Sequence, residues 1–243
     1  MVYPVSYEHV LQSLCLVAII LSAVLVSGCA SNGPLQNVFL LLLEYPTVHV
    51  RVGYFSLCVA TYPNNWVCGA DALPRDSLGV EDPWNLIGLA DKFRHQVVFS
   101  GLVLASLVLM VILVVNLAAW PKWRTEAPDD DGSDGESQVS DHEVRKSPSR
   151  MIQVTGVLAS ILEDVFSLLA AAWQHAAAVS TVEAIRLLTS GEVDARAGTA
   201  ATALVWVIFG ICVIVAVMAA GLTMFSMILL AYAIDGSVST TTD

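Results

Sequence analysis

The stretch "GYFSLCVATYPNNWVCG", residues 53–69, decides how this chain is read. It holds Cys58 and Cys68, an aromatic pair (Tyr54 and Phe55) before the first cysteine, and Trp66 just before the second. The approach to it alternates: Thr47, His49 and Arg51 fall on one face, Val48, Val50, Val52 and Tyr54 on the other. Such alternation is the mark of a half-buried strand, which Cys58 and Val59 continue. Residues 62–65, "YPNN", carry turn chemistry, because proline fixes φ and asparagine tolerates left-handed backbone. "WVC" then begins a return strand, so Cys58 and Cys68 can face each other across a hairpin and be bridged. The alternatives are two reduced thiols, or a partner elsewhere such as Cys29 at the membrane edge. A small sheet has little core of its own, and a bridge closing so short a loop would add about 2–3 kcal/mol.

The surroundings of this motif are those of a membrane protein. Of 243 residues, 56% are hydrophobic and only 14% charged, against about 25% charged in a soluble domain. The net charge of −11 excludes a nucleic-acid partner, which needs a basic stripe, and disfavours docking on anionic lipid. A spanning helix needs about 20 mainly apolar residues. Spans are expected at 10–27, 97–119, 161–188 and 199–234. They leave tails at 1–9 and 235–243, a long first loop at 28–94, a linker at 121–150 and a short second loop at 189–198. The fold class expected is all-α transmembrane: a four-helix claudin-like bundle with a small disulfide-stapled extracellular β-sheet in the first outer loop. The acidic linker, rich in Asp, Ser, Gly and Pro, reads as disordered and cytosolic.

A disulfide persists only in an oxidising compartment, which puts the long loop outside and both termini in the cytosol. Positive charge flanking the linker agrees. Residues 1–9 contain no Lys or Arg, so the first span reads as a retained helix. It is not read as a cleaved signal, although "VSGC" at 26–29 imitates a lipoprotein cleavage box.

Within the third span the cleanest uncharged window is 165–182, which sets Glu163 and Asp164 near an interface and Gln174 and His175 inside the bilayer zone. A span starting near Ile152 would instead carry both acids into the membrane and make them the foremost functional candidates. Gln174 and His175 read first as interhelical hydrogen-bonding groups. Glu44, Asp71, Asp76, Glu81, Asp82 and Asp91 are scattered along the first loop without the spacing of a calcium loop, and read as a solvated face. Ser133, Ser140 and Ser147 sit in contexts that suit kinases. No phosphate loop, metal-ligand spacing, nucleophile elbow or N-x-S/T sequon occurs. Neither an enzyme activity nor a metal or cofactor is expected.

The glycine-aromatic pair and the cysteines of "GYFSLCV" and "WVC" resemble those of claudin-type tetraspan proteins. With "AAAWQHAAAVS" (170–180) and "GTAATALVW" (198–206) added, the chain resembles the fungal factor-induced mating family of calcium regulators and membrane-fusion proteins over nearly its whole length. Ser56 stands where a second glycine is expected of many members. The resemblance implies a multi-pass plasma-membrane protein that supports low-affinity calcium influx and membrane fusion when fungal cells mate. It would act as a regulator of a calcium channel or other membrane proteins, alone or as a homo-oligomer. Gly53, Phe55 and Trp66 are then expected to shape the sheet and pack against the tops of the spans. The alternatives are a claudin-like adhesion or membrane-domain organiser without a role in calcium flux, and a conducting channel.

Overall fold

A computed structural model describes residues 7–30, 33–61, 65–69, 82–119 and 150–238. Helix α1 covers Tyr7–Val26 and is followed by a 3-10 turn, Pro34–Asn37. Strands β1 (Leu41–Tyr45), β2 (Val48–Val52), β3 (Leu57–Thr61) and β4 (Asn65–Gly69) come next. The short helix α2, Leu86–Lys92, runs into a π turn at Phe93–Val97 and then into α3, Ser100–Ala119. The chain closes with α4 (Arg150–Leu188), β5 (Asp194–Ala197) and α5 (Thr199–Val238).

Among the described residues, four helices are long and apolar enough to cross a membrane: α1, α3, α4 and α5. In α4 the apolar stretch runs from Val154 to Leu188, a longer candidate span than the 161–188 read from the sequence. The 39 residues of α4 measure about 58 Å at 1.5 Å per residue, well beyond a hydrocarbon core of about 30 Å. Helix α1 packs on α3 and α5, and α4 packs on the same two, giving a closed ring. Leu11, Cys15, Leu25, Met110, Ala171, Val205 and Cys212 fill its centre. Ile20, Val108, Val115, Leu169, Val207 and Val217 are exposed on the outside, the apolar surface that a bilayer covers.

The sheet caps one end of the bundle. Its five strands are ordered β4-β3-β2-β1-β5, every neighbouring pair antiparallel. The alternation read from the sequence sets its faces. Leu41, Leu43, Val48, Val50, Val52 and Val59 are buried on one side, together with Leu86, Ile87 and Ala90 of α2, which packs on β2 and β3. Helix α2 is anchored at its start by side-chain acceptors. Asp82 takes the backbone N–H groups of Leu86 (2.7 Å) and Ile87 (3.1 Å), and Asn85 takes that of Gly88 (3.2 Å).

The structure corrects the sequence reading of the sheet in three places. The strand beginning near Thr47 does not run on through Cys58: it reverses at 53–56, where Gly53 N donates to Ser56 O at 2.9 Å, making β2 and β3 separate antiparallel strands. The apolar run at Leu41–Tyr45 is a strand in its own right. The sheet is also not confined to the first loop, because β5, from the short α4–α5 connection, pairs with β1.

That last pairing brings the start of α5 against the chain before β1. Gly198 N donates to Leu40 O at 2.9 Å, and a Cβ on Gly198 would lie 1.6 Å from the carbonyl oxygen of Phe39. Backbone cannot yield by that much, so Gly198→Ala should cost about 3 kcal/mol and lower the apparent melting temperature of the solubilised protein by roughly 6–12 °C. Gly156, within α4, has nothing within 4 Å of such a Cβ, and Gly156→Ala should leave the melting temperature unchanged or higher.

Candidate functional site

The cysteine motif forms the join between sheet and bundle. Cys58 and Cys68 stand opposite each other in the β3–β4 register, 4.1 Å apart at Cα, and are disulfide-bonded. Cys58 is fully buried, with its sulfur 3.5 Å from the carbonyl oxygen of Cys29 just past α1. Arg51 is directly across from Cys58 on β2. Its guanidinium lies between two rings, 4.0 Å from the centre of Trp66 and 5.3 Å from that of Phe39. It also donates to Gln36 O (3.3 Å) and Asn37 Oδ1 (3.1 Å). A planar cation that stacks and donates in its own plane thus fastens the Pro34–Asn37 turn to the bridged hairpin.

The turn at 53–56 does the fastening to the membrane helices. A Cβ on Gly53 would meet Gly28 O at 2.4 Å, and one on Gly28 would meet Val38 O at 2.2 Å. These crossings need glycine for close approach. The Ser56 hydroxyl, buried, donates to Gly28 O at 3.2 Å, so the serine at this place is a fastening in its own right. The buried Tyr54 reaches into the bundle and donates its hydroxyl to Gln174 Oε1 on α4. Burial pushes the Tyr54 phenol well above its ordinary range. Arg94, held by Asp91 at 2.9 Å, donates to Phe55 O at 3.2 Å.

The expected aromatic roles are therefore redistributed. Tyr54 is the ring that enters the bundle, while Phe55 is 42% exposed and Trp66 serves Arg51. Gln174 is buried and bonded to Tyr54, whereas the adjacent His175 is exposed. Ser133, Ser140, Ser147 and the linker at 121–149 lie outside the described residues.

Glu163, expected near an interface, packs inside the bundle. Because α4 starts at Arg150, Glu163 falls well within the bundle, 1% exposed, and accepts a hydrogen bond from Ser106 Oγ on α3 at 2.8 Å, with Cys212 of α5 alongside. A buried acid in a membrane segment marks a functional position by default. Asp164, next in sequence, is half-buried. Three of the loop acids have defined partners. Asp82 caps α2, Asp91 pairs with Arg94, and Glu44 approaches Arg196 (4.0 Å) and His49 (3.6 Å). Asp71, Asp76 and Glu81 lie outside the described residues. Arg196 also holds Asp194, 2.5 Å away, and keeps its carboxyl below the usual carboxylate range. Among the described residues no group of three or more His, Cys, Asp or Glu could hold a metal ion.

Residues 42–226 match the family model described as Ca2+ regulator and membrane fusion protein Fig1. The chain belongs to the Fig1 family. The matched stretch opens within β1 and ends within α5, so it takes in the disulfide, the 53–56 turn, Gln174 and Glu163. Helix α1 and Gly28 precede it. No curated protein matches the chain.

Two residues of this Fig1-family site escaped the sequence reading. Gly28 was signalled only by its place in a run of small residues closing the first span, and Ser106 carries no signal outside the fold. Cys29 gives a direct probe of the join. It is reduced, fully buried, and pushed up to about 12 by burial, with Arg51 pulling slightly the other way. Since the thiolate is the reactive form, Cys29 in folded protein at pH 8 should react with iodoacetamide at least about a thousandfold more slowly than an exposed thiol. Its rate should keep rising with pH towards 12. Peptide mapping after timed alkylation measures this, and fast labelling at pH 8 would show the join to be open.

Proposed function

We propose that this chain is a plasma-membrane regulator of low-affinity calcium entry that promotes membrane fusion when fungal cells mate. The observation that carries the reading is the family match over residues 42–226, which spans the whole stapled motif and the three later helices. The disulfide supports an orientation with the sheet outside the cell, since such a bond persists in an oxidising compartment. Four crossings then leave both termini in the cytosol.

A regulator is favoured over a pore by the bundle's interior. Leu11, Leu25, Met110, Val205 and Ile208 pack its centre, and the carboxyl of Glu163 is bonded to Ser106. Cation permeation needs oxygen ligands in series, which this arrangement does not offer. The protein is proposed to act on a channel or another membrane protein through its sheet, without enzymatic chemistry. An adhesive role is the second reading, favoured by the exposure of Phe55, Val67 and Trp84 on the same capping domain.

Cells carrying Cys58→Ser, matched for surface level, should show calcium uptake during mating reduced towards that of the deletion strain, with cell fusion impaired in parallel. Uptake equal to wild type would remove the calcium role, and normal flux with lost cell–cell contact would favour adhesion. Purified protein in liposomes should pass no calcium current, and a current there would make it a channel.

A further inference from the structure

We propose that the cleft between α3 and α4, at the end of the bundle that carries the sheet, binds a sterol through its hydroxyl group. The cleft is bounded by Tyr54, Phe93, Phe99, Leu102, Trp173 and Gln174, and none of its lining residues is charged. Gln174 is 7% exposed, and its Nε2 is buried without a hydrogen-bond partner. The other end of the same amide is occupied by the Tyr54 hydroxyl. Whichever end of the amide faces Tyr54, the opposite end is left unpaired on a residue that lines the cleft. A buried amide group without a partner is costly, and a ligand that satisfies it is favoured.

The ligand's chemistry follows from the walls. The cleft is small, about 20 Å³, and admits a hydroxyl or a water and little more. Phe99 and Trp173, both of which line the cleft, are 62% and 52% exposed. The Trp173 indole is fixed there by donating to Val97 O at 2.9 Å. An apolar body thus rests against two aromatic rings while one small polar group enters to meet an amide. With Tyr54 donating to Oε1, the unpaired group is the Nε2 amide, which a hydroxyl meets as an acceptor; an ester carbonyl accepts equally but carries a polar headgroup that these uncharged walls do not meet. A phosphate headgroup would find no cation among the lining residues. Tyr54 brings the sheet down to this level, so the cleft lies near the bilayer surface, at the depth of a sterol hydroxyl. A rigid, uncharged lipid with a single hydroxyl is the class that fits.

The full chain in phosphatidylcholine nanodiscs, exposed to a diazirine-bearing sterol, tests this. Labelling should concentrate at residues 97–103 and 170–178. Excess unlabelled sterol should compete, while the 3-deoxy analogue should compete poorly. Gln174→Leu should reduce labelling by about fivefold, with the Cys58–Cys68 peptide still linked as the check on folding. Should that variant misfold, the comparison of sterol with its 3-deoxy analogue on the wild-type protein still decides. Labelling spread along the helices, equal competition by the 3-deoxy compound, or unchanged labelling of a folded Gln174→Leu protein would each overturn the proposal, the last by leaving water as the occupant. So would capture of a phospholipid photoprobe at these segments in place of the sterol.

Discussion

The carbonyl oxygen of Gly28 rests against the α-carbon of Gly53, and the rest of the structure depends on that contact. It joins the end of the first span to the turn between β2 and β3 at a distance no Cβ would allow. The same carbonyl accepts the Ser56 hydroxyl, and the next residue's carbonyl touches the sulfur of Cys58. Next to Gly53, Tyr54 reaches α4, and at the far edge of β1, Gly198 presses α5 against Phe39. Backbone contacts this close cannot slide, so the sheet and the helix ends move as one body. The disulfide acts one layer further out, holding β4 to β3 so that Trp66 stays beneath Arg51.

A membrane protein built this way can pass a disturbance between its exposed sheet and its buried helices. Tyr54 and Gln174 form the shortest such link, and Glu163, further along the same helix, is buried against Ser106 of α3. A partner that displaced the sheet would therefore act on the spacing of α3 and α4. The role proposed for this Fig1-family chain, regulation of a neighbour by a protein with a packed interior, needs a coupling of that kind. A lipid seated between the same helices would bear on the same link.

Much of the architecture was legible because it rests on composition and period. The spans follow from apolar length, and the buried face of β2 from the alternation of Val48, Val50 and Val52 with His49 and Arg51. The pairing of Cys58 with Cys68 followed from a turn signal between strand-like runs. What was not legible depended on contacts distant in sequence. Strand β5 has polar sequence neighbours and takes its place by pairing with β1 and packing on α4. The break at Gly53 is dictated by Gly28, which lies on another element. Glu163 was placed near an interface because it and Asp164 stand just before the uncharged window 165–182. The continuous helix from Arg150 carries it inward, and Ser106 supplies its hydrogen bond. The alternation set Tyr54 on the face of Val48, Val50 and Val52, but its reach into the bundle depends on Gln174, a contact distant in sequence.

The central claim is that sheet and bundle form one mechanical unit through the 53–56 turn. Hydrogen–deuterium exchange on solubilised wild-type protein and a Tyr54→Phe variant measures it most directly. The account predicts that removing one hydroxyl raises exchange together at residues 48–61 and 171–178, with residues 109–117 of α3 unchanged and the disulfide intact. Exchange that rises in the sheet alone, or in neither segment, would contradict it.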